Sequence, residues 1–166
     1  TYAKARVIGL LGRFRHLPAI PLIVQELTAD QDWLRQESIL ALTRIGLPFL
    51  DFLEDHFAEI PLEAWEGIAE VLAHIPTERS AEIAYLAWLQ PYIPKSDALF
   101  MVQERIGSLH AIERLAEIYE TNPQLAGTSL ELMCEIHDFT DLPILAEVKE
   151  ANRLEAEEIA AYQQEM

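Results

Sequence analysis

An all-α fold built from stacked helix pairs is what this sequence predicts, on three observations. A short apolar segment ending in a helix-stopping position returns five times: Val7–Gly12, Ala41–Gly46, Val71–Pro76, Val102–Gly107 and Leu132–His137. Its closing positions 12, 46, 76, 107 and 137 are separated by 34, 30, 31 and 30 residues, each preceded by Leu or Ile. On both sides of each closing position apolar residues recur at helical spacing, as in Ile39, Leu40, Leu42 and Ile45 or Ile68, Val71, Leu72 and Ile75. A period of this length suits a supersecondary unit that cannot bury its apolar face alone and stacks on copies of itself.

Each element has a local reason. The first helix runs near Tyr2–Leu11, with Gly12 expected to end it in a left-handed conformation, as Gly46 and Gly107 would end theirs. Pro18 and Pro21 sit in the first turn of the second helix, which carries Leu22, Ile23, Val24 and Leu27. Asp30 is the expected N-cap of the third helix, through Trp33 and Leu34 to Ile45. Pro48 opens the fourth and Pro61 the fifth, through Trp65 to Ile75, where Pro76 stops it. Thr77 caps the sixth, which holds Ile83, Leu86, Trp88 and Leu89. Gln90-Pro91-Tyr92-Ile93-Pro94 is a rigid link with no domain boundary assigned to it. The seventh helix spans about Ser96–Ile106 and the eighth about Leu109–Glu120. Asn122-Pro123 starts the ninth, and Thr140 with Pro143 the tenth. No strand is needed. Trp33 and Trp65 are both expected in the core.

These readings give a repeat array over 1–152, with repeats near 1–28, 30–59, 61–92, 95–121 and 123–152, and a polar C-terminal cap or tail helix over 153–166. At 51% apolar residues the chain is not disordered, and no apolar run approaches the length of a membrane span. One cysteine, Cys134, excludes an internal disulfide framework and reads as a buried apolar residue in a reducing, cytoplasmic setting.

Charge is unevenly placed. The net charge is −16, yet residues 1–50 hold six Lys or Arg against four acids, leaving −18 for residues 51–166. Nucleic acid recognition leaves a basic footprint. The only cluster of that sign, Lys4, Arg6, Arg13 and Arg15, is expected to be a solvated helix end, so no nucleic acid partner is expected.

With its motifs in view, the chain resembles HEAT repeats of the phycobilisome-lyase type. Asp32-Trp33-Leu34-Arg35 leads into Ala41-Leu42-Thr43-Arg44-Ile45-Gly46, while Ala19-Ile20-Pro21-Leu22-Ile23 and Asp141-Leu142-Pro143-Ile144-Leu145 resemble the following helix. The resemblance covers about Ala3 to Ala151; Trp65 and Ser96 depart from it at the position of Arg35. It implies an α-α superhelix, a HEAT-like solenoid of about five helix pairs, and no particular activity.

Enzymatic patterns fail on the residues. The histidines at 16, 56, 74, 110 and 137 form neither His-Glu dipeptides nor Glu-x-x-His pairs. Cys134 and His137, with Asp138 and Asp141, are half of a metal site at most, and His137 is explained by its helix-end position. No cofactor or metal is expected. The expected function is a protein–protein interaction scaffold without catalysis, its concave acidic surface holding a basic peptide or helix. The partner-binding residues would be Glu26, Asp55, Glu59, Glu82, Glu117, Glu120, Glu147 and Glu150, with Tyr85 and Trp88 as aromatic anchors. The alternative is an accessory subunit of a lyase or other protein-modifying enzyme.

Overall fold

The computed structural model describes residues 2–95, 97–139 and 143–165, with side chains at all of these except 124, 125, 155, 156 and 158–165. Among the described residues all regular structure is helical, so the chain is all-α as its periodicity predicts. The α-helices are α1 (Tyr2–Arg13), α2 (Ile20–Gln25), α3 (Asp32–Ile45), α4 (Leu47–His56) and α5 (Trp65–Ala73), then α6 (Glu78–Leu89), α7 (Asp97–Ile106), α8 (Leu109–Thr121), α9 (Pro123–Ile136) and α10 (Pro143–Glu165). Short 3-10 turns at Leu17–Ala19 and Glu26–Thr28 flank α2; two more, Phe57–Glu59 and Leu62–Ala64, link α4 to α5. None of the described helices is long and apolar enough to cross a membrane.

Prolines and caps set the helix starts. Pro48 and Pro123 occupy the first turns of α4 and α9, where a missing amide hydrogen breaks no intrahelical bond. Thr77 caps α6 by accepting the Ser80 amide at 3.1 Å, and Ser108 caps α8 by accepting the Ala111 amide at 3.1 Å. Asp30 does not cap α3. The N-cap position falls on Gln31, which makes no side-chain capping bond, and Asp30 stands one residue too early to reach the first free amides. Asn122 holds the N-cap position of α9 without a side-chain capping bond; its amide donates to the Thr121 hydroxyl instead.

Gly46 and Gly107 have positive φ, 75° and 57°, but Gly46, with ψ at −135°, is not left-handed helical as expected and stands in a conformation that favours glycine more strongly still. Gly12 has no positive φ. It lies inside α1, and the positive φ of the turn that follows belongs to Arg15, at 49°. Gly12 is small for a different reason: a Cβ there would lie 2.5 Å from the Ala41 Cα, so its absence lets α1 approach the α3 backbone.

The chain divides into two compact units, residues 1–102 and 103–166, the division falling inside α7. In the first unit α1 packs on α3 and α3 on α5, while α4 packs on α6; α2 lies against α3, and α5 against α6. The core of this unit lies among these helices. Leu42, Phe49, Leu50, Leu53, Ile68 and Leu72 are fully buried there, and Trp65 is in this core as predicted. Trp33 is not: it remains 43% exposed, its ring tilted against Tyr2 at 6.4 Å between centroids. In the second unit α9 packs on both α8 and α10, burying Leu115, Leu130, Met133, Cys134 and Val148. The polar stretch from Arg153 continues α10 without a break to Glu165. The predicted starts at Ser96 and Thr140, and the motif residues Asp141 and Leu142, lie outside the described residues.

Candidate functional site

The acidic residues singled out in the sequence meet different environments. In the first unit Glu26 is held by the Lys4 ammonium at 2.6 Å, with its side chain only 14% exposed, so its charge is spent within the fold. Asp55, Glu59 and Glu82 are exposed and Tyr85 is half-buried. Trp88 is buried, contrary to its expected role as a groove anchor. Its ring packs 4.6 Å from that of Phe100, and Lys95 lies 4.8 Å above it while donating to the Trp88 carbonyl. Burial on this site pulls the Lys95 ammonium below its usual range.

In the second unit Glu117, Glu120 and Glu147 are exposed. Glu150 is gripped by Arg153 through bonds of 2.9 and 2.7 Å, and that hydrogen bonding holds its carboxyl below the usual range. Cys134 is fully buried, and burial pushes its thiol up against a smaller opposing effect from the Lys149 ammonium. His137 donates its Nε2 hydrogen to the Glu104 carbonyl at 2.8 Å, which fastens the end of α9 to α7. Asp141, the fourth member of the Cys134–His137 group, lies outside the described residues.

A larger feature lies elsewhere, between α1 and α3. On α1, Tyr2, Arg6, Gly9 and Arg13 follow i, i+4, i+7 and i+11, and therefore share one helix face. On α3, Trp33, Glu37, Leu40 and Arg44 repeat that spacing, each 31 residues later. Packing the two helices brings the stripes together. Tyr2 meets Trp33, and Glu37 lies over the bare Cα of Gly9, where a Cβ would make its carboxylate shift. Between the stripes is an open groove of about 710 Å³, walled by Tyr2, Arg6, Leu10, Arg13, Trp33, Glu37 and Arg44, with Ala5 and Gly9 beneath.

This groove has the opposite sign to the surface expected from the sequence. Three guanidinium groups face one carboxylate, a net charge of +2 in a chain of −16. Arg44 leans on Glu37 at 3.6 Å, and the Arg6 guanidinium lies 5.7 Å from the centre of the Tyr2 ring. Arg13 has no acidic partner among the described residues. Of the four bases read as a solvated helix end, then, Lys4 is paired and Arg6 and Arg13 line a groove. The signal available in the sequence was the 31-residue recurrence of aromatic, charged and arginine positions, which an alignment on helix ends passes over.

Compared with known proteins, the chain matches no family model, no curated protein and no solved structure.

Proposed function

We propose that this chain is a protein-interaction module of HEAT-like solenoid type, and that the α1–α3 groove holds an acidic peptide segment bearing a large apolar side chain. One observation carries the reading: Arg6, Arg13 and Arg44 run along a groove that the exposed Tyr2–Trp33 pair lines at one end. Arginine presents a planar fork that matches carboxylates bidentately, and exposed aromatic rings accept apolar side chains at little entropic expense. Leu10, half exposed on the same wall, extends the apolar part.

A carboxylate peptide suits the groove better than a phosphate backbone. Glu37 stands among the arginines and opposes a continuous run of negative charge, while it can accept backbone amides from a peptide. The −18 of residues 51–166 also opposes a nucleic acid extending beyond the groove, whereas a short peptide stays within about a Debye length of the arginines, roughly 8 Å at physiological salt. The exposed carboxylates Asp55, Glu82, Glu117, Glu120 and Glu147 serve in this reading as the solvated surface that keeps a strongly apolar chain in solution.

The test is isothermal titration of an acetylated, amidated peptide carrying glutamates on both sides of a Leu-Phe pair. Binding that weakens with added salt and is lost in the R6E/R13E double variant supports the proposal. Equal binding by that variant, or preferential binding of the same peptide with lysines in place of glutamates, rejects it.

A further inference from the structure

A second concave site lies between α2 and the end of α4, and its polar side chains include a carboxylate and an imidazole. Phe52 and His56 stand one turn apart on α4, and Glu59 on the 3-10 turn that follows lines the same cleft. They form one wall of a cleft of about 320 Å³, faced by Pro21 and Val24 of α2 and closed by Pro61. The Phe52 and His56 rings are stacked, with centroids 4.5 Å apart and planes 17° from parallel, so each ring covers one face of the other and the pair keeps only its outer faces for a ligand.

The protonation pattern of His56 follows from its neighbour. Nδ1 lies 3.1 Å from the Phe52 carbonyl, which can only accept, so Nδ1 carries the proton and the neutral ring offers Nε2 as an acceptor. Glu59 lines the cleft, and neither it nor the exposed Asp55 one turn away has a cationic partner among the described residues. A stacked aromatic pair, a carboxylate and an imidazole acceptor, with Gln25 as the further polar residue, therefore line a cleft that holds no fixed cation among the described residues.

We propose that this cleft takes the guanidinium of an arginine side chain presented by a partner peptide. A guanidinium is planar and weakly hydrated, stacks on aromatic faces and donates bidentately to a carboxylate. Its stem lies against Pro21, Val24 and Pro61, which supply apolar surface and no competing donor. An ammonium group lacks the flat face and the fork, so lysine is the weaker ligand. The site shares no wall with the α1–α3 groove, and the R6E/R13E variant keeps it intact.

The experiment follows the His56 ring signals by NMR during titration with an acetylated Gly-Arg-Gly amide, beside matched peptides containing citrulline or lysine. Citrulline keeps the shape and removes the charge. The expected result is perturbation centred on His56 and Phe52, with affinity falling by about tenfold or more for citrulline and for Glu59→Gln with the arginine peptide, as loss of a charge-assisted hydrogen bond implies. Glu59 is exposed, so its substitution leaves the fold unchanged, and backbone spectra verify that. Equal binding of the citrulline or lysine peptide overturns the proposal, as do perturbations confined to other residues or none at millimolar peptide.

Discussion

Gly12 of α1 rides directly on Ala41 of α3, so close that a Cβ on Gly12 would lie 2.5 Å from the Ala41 Cα and 2.7 Å from its Cβ. Two helix backbones meet there with no side chain between them. The approach sets the spacing of the α1 and α3 stripes, and hence the width of the groove they line. Gly12→Ala gains about 1 kcal/mol of helix propensity, but the atom it meets is backbone and cannot rotate away. Overpacking of this kind costs about 1–3 kcal/mol, so we expect a net loss of stability of up to about 2 kcal/mol in urea denaturation. Gly12→Val should lose more.

Gly46 and Gly107 separate two reasons for a glycine. Both have positive φ, but a Cβ at Gly46 meets nothing closer than the Thr43 carbonyl at 3.9 Å, whereas at Gly107 it would overlap the His137 ring. Gly46→Ala should therefore lose only the conformational term, about 1–3 kcal/mol for a backbone geometry that only glycine adopts readily. Gly107→Ala should lose more, and His137→Ala in the same chain should recover part of the difference. A double-mutant cycle reads that coupling directly; strict additivity would refute the overlap.

Arg79 donates to both oxygens of Glu54 at 2.6 Å and to Asp51 at 2.6 Å, tying α6 to α4. Hydrogen bonding from Arg79 holds the Glu54 carboxyl below its ordinary range. A depressed carboxylate stabilises the fold at pH values above its unfolded pKa, and that contribution is lost as pH falls through the folded value. The pair is solvent-exposed, so the contribution is small and the site-specific titration is the better readout. In a carboxyl-detected NMR titration Glu54 should ionise below the exposed Glu residues, and Arg79→Gln should return it to their range.

Cys134 is fully buried in the second unit, with its thiol pushed upward by that burial. Thiolate is the reactive species, and it forms there only when α9 opens. Labelling with a disulfide reagent at pH 8 should be slow in the native protein and rapid in denaturant. Fast native labelling would show that α9 is not packed as described.

Helix boundaries were legible because proline and glycine act locally: Pro48, Thr77, Gly46 and Gly107 do what their backbone chemistry requires wherever the rest of the chain goes. The register between helices was not. Aligning the repeats on their closing residues sets Gly12 against Gly46, 34 positions apart, whereas the rings that meet are Tyr2 and Trp33, 31 apart. That difference depends on how closely two helices approach, which a small residue permits but periodicity does not specify. Trp33 and Trp88 failed for a related reason. An aromatic residue at helical spacing fits either the core or its edge, and here the two tryptophans exchange the places assigned to them, Trp33 being 43% exposed and Trp88 7%.

The exposure of Trp33 provides the most direct test of the proposed groove, because Trp65 and Trp88 are buried and Trp33 is the tryptophan open to solvent. Acrylamide quenching of tryptophan fluorescence, measured with and without the acidic Leu-Phe peptide, reads whether a ligand covers it. The account predicts strong quenching of one emitting population in the free protein, and its protection by the acidic peptide in low salt. Protection by a basic peptide instead, or binding of the acidic peptide with Trp33 still fully quenched, would contradict it.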